Sequence, residues 1–266
     1  MDAVVFESVR KIFFARPRLF KWLGVARGEP KFTLGDISLR VRAGSVLALL
    51  GPNGSGKTTL LKLISTMLLP DSGNVLVQGA NTRSDARRVR ACVGFAVAAE
   101  RSFFPRLTAR ENLDFFAAMN DVHPKLRPGR IERTLARAGL LDTPDTLVMN
   151  FSAGTYQRLA IARALMKQPV VMLLDEPTRS LDSAATAGVW DLIGELSAEG
   201  TTVVIASHRF EEVSAVADSV LALRHGQVVA HQRISGATTR EIRSLYLDTT
   251  MAAAISDSNR LVESYR

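Results

Sequence analysis

Apolar residues along this chain gather into short unbroken runs, separated by polar stretches marked with glycine and proline. Val46–Leu50 (VLALL), Val170–Leu174 (VVMLL) and Thr201–Ala206 (TTVVIA) have the form of strands buried on both faces. Ala91–Ala99 and Val220–Leu223 read the same way. Residues 36–42 (DISLRVR) alternate instead, as a half-exposed strand does. Ala3–Phe6 and Asn74–Gln78 are further strand candidates, the second bracketed by Gly73 and Gly79. Leu60–Leu69, ended by Pro70, suits a buried helix, and Val189–Ala198 and Phe210–Ala217 suit two more. Thr108 and Glu111 have capping-box spacing at the start of a helical stretch that continues to residue 119. Pro124 and Pro128-Gly129 interrupt the pattern, and Ile131–Leu141 resumes it. Residues from about 101 to 168 are therefore expected to be mostly helical, inserted in a chain that otherwise alternates strand and helix. Such alternation predicts an α/β fold with a parallel sheet covered by helices. One domain over residues 1–230 is expected, with a short polar tail over 231–266; residues 83–90 read as basic and solvated.

At 266 residues, 47% hydrophobic and 23% charged, the chain has the makings of a globular protein. Its apolar runs are too short to span a bilayer. Met1-Asp2 is not a basic leader start, so a cytoplasmic protein is expected. The single cysteine, Cys92, excludes an internal disulfide and a multi-cysteine zinc site. The net charge of +8 favours anionic partners without naming one. Phe13–Lys31 is unusual: Arg16, Arg18, Lys21, Arg27 and Lys31 stand against Glu29, with Phe14, Phe20 and Trp22 among its apolar residues. Two readings stand side by side: a surface for a membrane or partner helix, and a long hairpin loop packed on its own domain.

Gly51-Pro52-Asn53-Gly54-Ser55-Gly56-Lys57-Thr58-Thr59 carries the strongest chemical signal. It fits G-x-x-x-x-G-K-[ST], between an expected buried strand and an expected helix, which is the setting a phosphate-binding loop requires. A triphosphate is densely anionic, so its cradle needs inward-pointing N–H groups, a helix N-terminus and a cation. Lys57 supplies the cation, and the Thr58 hydroxyl can ligate Mg²⁺.

A second group of polar residues sits at expected strand and helix ends. Asp175 and Glu176 end an apolar strand, where parallel sheets bind ligands. Asp175 can hold Mg²⁺, and Glu176 can polarise a water. Ser152 and Gly154 stand at a helix start, a phosphate site or an ordinary serine cap. His208 follows another strand and can contact a phosphate or an attacking water. Ser180-Leu181-Asp182 just after the acids reads as a turn when taken alone.

Taken in order, these motifs resemble the ATP-binding subunit of an ABC transporter over about residues 1–230. GPNGSGKTT resembles that family's first nucleotide motif, FSAGT its serine–glycine signature, VVMLLDEP its second nucleotide motif, SLD its aspartate loop and SH its histidine switch. The resemblance implies a P-loop NTPase parallel-sheet core, an N-terminal antiparallel β subdomain and an inserted helical subdomain. It implies that the loop from Gly51 to Thr59 holds ATP, that Thr58 and Asp175 hold Mg²⁺, that Glu176 is the general base and that His208 contacts the γ-phosphate. It further implies that Ser152, Gly154 and Asp182 serve ATP in a sandwich of two subunits, expected as identical copies. Phe13 is the expected adenine-stacking residue, with Phe14 next. A separate integral-membrane permease is implied as partner, with contact near Glu100–Leu113, at the cytoplasmic face of the cell membrane. Segment 100–119 and the basic insertion 14–31 are similar to ATPases of the type-two ABC exporters.

Three departures stand out. No glutamine occupies the expected Mg²⁺-ligating place near Ala99, where Glu100 could substitute. The signature has Ala153 in place of a glycine and Thr155 in place of an amide, and the first hairpin is lengthened by residues 14–31. Two other readings compete. One is a soluble ABC ATPase acting on nucleic acid or the ribosome, which the charge suits but the single core and single cysteine do not; no nucleic-acid partner is expected. The other is a regulatory ATP binder, against which Glu176 and His208 both speak.

Overall fold

The computed structural model describes residues 1–14, 30–97 and 102–249. Among these, ten strands form two sheets. The long antiparallel hairpin β1 (Asp2–Phe14) and β2 (Pro30–Arg42) joins β4 (Ser72–Val77) and β5 (Ala80–Asn81) in the order β2-β1-β4-β5. The other sheet holds β3 (Val46–Leu50), β6 (Val93–Val97), β7 (Val171–Asp175), β8 (Thr202–Ser207), β9 (Ser219–Arg224) and β10 (Gln227–Arg233), in the order β10-β9-β3-β8-β7-β6. Its neighbours pair in parallel except β10, which runs antiparallel to β9.

Why β3, β7 and β8 are apolar at nearly every position follows from this arrangement. Val46, Ala48 and Leu50 enter one core, while Leu47 and Leu49 enter the other. A strand with two covered faces has no wet side to mark with polar residues. The first core is closed by α3 (Ala109–Met119), α4 (Arg127–Arg137), α5 (Ala153–Leu165), α6 (Ser183–Ala198) and α7 (Phe210–Val216). The second is closed by α1 (Lys57–Ile64) and the antiparallel sheet, through Leu60, Leu61, Val4 and Phe6. The expected α/β fold with its antiparallel subdomain and helical insertion is thus the observed one.

Several local expectations differ from what is seen. Helix α1 ends at Ile64, not Leu69: Thr66 adopts φ +64°, and Met67 is 64% exposed, so the apolar run outlasts its buried face. Residues 83–90 are largely exposed as expected, but α2 (Ala86–Cys92) forms there and takes Ala91 and Cys92 out of the expected strand. Val89 is the buried residue that anchors α2, too little for a periodic signal. Helix α6 starts at Ser183, earlier than Val189, because Asp182 caps it. The expected boundary at residue 230 falls within β10, and α8 (residues 239–249) follows, with Ile234 and Ile242 buried. The capping box at Thr108 and Glu111 is present on both sides, at 3.2 and 2.7 Å. Most of the basic insertion, residues 15–29, lies outside the described residues, as do Ala99 and Glu100.

Candidate nucleotide site

The register of the parallel sheet brings three strand ends together. Leu50 at the end of β3 pairs with Ser207 at the end of β8, and Asp175 at the end of β7 pairs with Ala206. The loop from Gly51 to Gly56 leaves β3 at this edge and turns into α1. A Cβ on Gly51 would stand 2.4 Å from the Leu223 carbonyl oxygen, so only glycine fits where the chain leaves the strand. Gly56 caps α1 with φ +112°, and no side chain caps the first turn. The leading N–H groups of α1 are therefore left for an anion. Ser55 Oγ is buried and lacks a hydrogen-bond partner among the described residues.

Lys57 is 6% exposed, and its Nζ donates to the Gly51 and Pro52 carbonyls at 2.6 and 3.2 Å. Burial pushes its pKa down, against the pull of Glu176 and Asp175. The Thr58 hydroxyl donates to Asp175 Oδ2 at 2.8 Å. Burial pushes the Asp175 carboxyl up, opposed first by the Thr58 hydrogen bond and aided by the neighbouring Glu176 charge. Glu176 takes φ +52° just beyond β7, and its N–H donates to the Ala206 carbonyl at 2.9 Å. Its carboxylate meets His208 Nδ1 at 2.9 Å through Oε1 and 2.7 Å through Oε2.

These groups line a cleft of about 770 Å³. Asn53, Gly54, Ser55, Gly56, Lys57, Thr58 and Thr59 form its loop wall, and Asp175, Glu176 and His208 lie along the strand ends. Phe13 also lines it, paired across the hairpin with Phe32 at a ring separation of 6.0 Å. Phe14 is 37% exposed and does not line it. Sequence reasoning missed Phe32, Lys31 and Arg179, which share the cleft. Phe32 could have been found by placing it opposite Phe13 in the hairpin; Arg179 had no signal beyond its nearness to Glu176.

Ser152, Gly154 and Asp182 are not part of this cleft. Ser152 caps α5, accepting from Thr155 N at 3.1 Å, and Asp182 caps α6, accepting from Ala185 N at 2.8 Å; both are exposed. A Cβ on Gly154 would meet Ser180 O at 3.1 Å and Leu181 Cδ2 at 3.2 Å, so this glycine lets α5 approach the turn before α6. Among the described residues no group of three or more His, Cys, Asp or Glu could hold a metal alone. Mg²⁺ needs no such cage, since one or two protein oxygens plus phosphates and water suffice. Thr58 Oγ1 and Asp175 are oxygen donors of that kind.

A glycine-rich loop between strand and helix, a lysine in its wall and a hydroxyl–carboxylate pair at the sheet edge define a P-loop nucleoside-triphosphate-binding protein. The chain belongs to the ABC transporter family, whose model matches residues 34–179, more than half of its length. It carries that family's ATP-binding, ATP-hydrolysing domain. It is similar to the ABC transporter ATP-binding protein NatA of Bacillus subtilis, 37% identical over 194 residues that cover 73% of this chain and 79% of NatA. It is also similar to the Nod factor export ATP-binding protein I of Burkholderia lata, 35% identical over 200 residues, 75% of this chain and 66% of the relative. Among solved structures, the ATP-binding cassette MJ0796, a dimer in a post-hydrolysis state bound to ADP and Pi, superposes with a TM-score of 0.76 at 27% identity, covering 88% of this chain and 99% of MJ0796. Among the described residues no helix is long and apolar enough to cross a membrane.

Proposed function

We propose that this chain is the ATPase subunit of an exporter, seated at the cytoplasmic face of the membrane against a separate permease, and that two copies close on ATP. The observation that carries this reading is the half-built site. The cleft gathers Lys57, the Thr58–Asp175 pair and the Glu176–His208 pair, while Ser152 and Gly154 stand at a helix start outside it. A second copy can supply that helix start to the open side of the cleft. The dimer of MJ0796 and the export named for the Burkholderia lata relative support the partner and the direction.

Each residue then has a task. Lys57 exchanges the Gly51 and Pro52 carbonyls for the outer phosphates, and the uncapped N–H groups of α1 hold the inner ones. Thr58 and Asp175 would hold Mg²⁺, which neutralises phosphate charge when bound. Glu176 accepts a proton from the water that attacks the terminal phosphorus, as the bond to the bridging oxygen breaks. His208 holds the Glu176 carboxylate through Nδ1 and turns its other nitrogen to the terminal phosphate. Phe13, flanked by Phe32, offers a face to the base. Ser152, Gly154 and Asp182 of one copy complete the site of the other.

Light scattering on the Glu176→Gln chain tests the reading. ATP with Mg²⁺ should double the particle mass, ADP should not, and Ser152→Arg should abolish the doubling. A chain that stays monomeric at saturating ATP refutes the closed pair.

A further inference from the structure

The segment that leaves β7 makes a tight turn. The Arg179 N–H donates to the Glu176 carbonyl at 3.2 Å, with Pro177 and Thr178 between them. Both middle residues are buried. Thr178 is 1% exposed; its hydroxyl donates to Glu212 Oε1 at 2.8 Å and accepts from Arg209 Nη1 at 3.1 Å. Glu212 is itself 1% exposed and belongs to α7. The turn is therefore fastened from beneath to α7, and its two ends present Glu176 and Arg179 to the same cleft.

Those two ends differ in how they are engaged. The Glu176 carboxylate is met by His208, and the nearby Asp175 carboxylate by Thr58. The Arg179 side chain is exposed and lines the cleft, yet among the described residues its guanidinium has no hydrogen bond and no ion pair. Both acids that could have neutralised it are occupied by other groups. A guanidinium on a fastened turn, lining the cleft without an acid partner among the described residues, is a cation held ready for an anion.

We propose that Arg179 reads the terminal phosphate of the bound nucleotide and so sets the preference for ATP over ADP. This rests on the nucleotide reading of the cleft given above. The position follows from the neighbour: Glu176 is placed on the water that attacks the terminal phosphorus, so the group at the other end of its turn faces the terminal phosphate rather than the inner ones. The charge balance points the same way. Asp175 and Glu176 repel the last phosphate; Lys57 reaches the outer phosphates from the loop side, and His208, whose Nδ1 is held by Glu176, offers them one further nitrogen. Lys31 is sequence neighbour to Phe32, beside the expected base. Arg179 adds a permanent cation at the acids' own turn, where ATP differs from ADP, and its planar fork can hold two phosphate oxygens at once. When the terminal phosphate leaves, this contact is lost and the grip on the product falls.

Calorimetric titration of the full chain with Mg²⁺ and either an imido-bridged ATP analogue or ADP tests this. Arg179→Ala should weaken the analogue about tenfold or more while ADP changes less than about twofold, the scale of one lost charge-assisted contact. Arg179→Lys should fall between, keeping the charge but not the fork. Arg179 is exposed, so the variants should melt with the parent chain. Equal weakening of both ligands, or no change in either, overturns the proposal. A parent chain that binds neither ligand would instead overturn the nucleotide reading itself.

Discussion

Asp175 is asked to do two opposed things, and replacing it by asparagine separates them. Without nucleotide, Asp175 is 7% exposed beside the Glu176 charge, and burial disfavours its anion. Asparagine keeps an oxygen to accept from Thr58 and removes the buried charge. The nucleotide-free Asp175→Asn chain should therefore be more stable, on the order of 1 kcal/mol. For a chain of this size that is about 2–4 °C in melting temperature. With nucleotide the order should reverse. A ligand at a hundred times its dissociation constant adds about 2.7 kcal/mol, or about 5–11 °C. The variant should lose the Mg²⁺-dependent part of that gain, because a neutral amide is a poor ligand for a hard cation. Differential scanning fluorimetry with ATP, with and without Mg²⁺, reads both effects, and the two sets of melting temperatures should cross. A nucleotide-free variant that melts below the parent, or one that keeps the full Mg²⁺ increment, refutes the reasoning.

Glu176→Gln should lower the ATP turnover rate about 10²–10⁴-fold, the usual weight of a general base, while bound ATP in a filter assay stays near the parent level; unchanged turnover would remove Glu176 from the chemistry. Thr108→Ala should cost about 1 kcal/mol in urea unfolding at neutral pH through the lost cap of α3. The Thr108 N–H and hydroxyl hold the Glu111 carboxyl below its ordinary range. Its folded pKa is the lower one, so its contribution is present above the ordinary glutamate range and is lost as pH falls through the lowered value. Alanine keeps the backbone N–H to the Glu111 carboxyl and loses both hydroxyl contacts, of which only the one to the carboxyl titrates. The difference between Thr108→Ala and the parent in urea titrations should therefore shrink only in part near pH 3; no difference at any pH would contradict the capping account.

What could be read from the chain and what could not divide along a physical line. Strands β3, β7 and β8 were legible because burial on both faces leaves an unbroken apolar run. The loop at Gly51–Thr59 was legible because its demands are local: Gly51 has no room for a Cβ, and Gly56 needs its φ of +112°. The acids at the end of β7, Asp175 and Glu176, were legible because a strand end announces itself. Helix α2 was not, since the buried Val89 carries it alone. The end of α1 was hidden because Met67 and Leu69 extend the apolar pattern into solvent. Phe32 and Arg179 were missed for a different reason. Their roles depend on which residue stands opposite or beside them in space, through the Phe13–Phe32 register and the turn closed by Arg179 onto Glu176. The capping reading of Ser152 and Asp182 is visible in one copy; any second role for them depends on another.

Strand β10 has a meaning for the molecule in a crowded solution. It is the last strand of the sheet on its side, and every residue in it is at least partly exposed, while the inner positions of β9 beside it are buried. Its exposed residues are Gln227, His231, Gln232 and Arg233 with one apolar residue, Val228, among them. A strand of this kind ends the stack: it satisfies β9 and offers a passing chain little to pair with. Cutting the chain at residue 230 would split β10 and bare the rim of β9, so the shortened protein should lose colloidal stability well before it loses its nucleotide cleft.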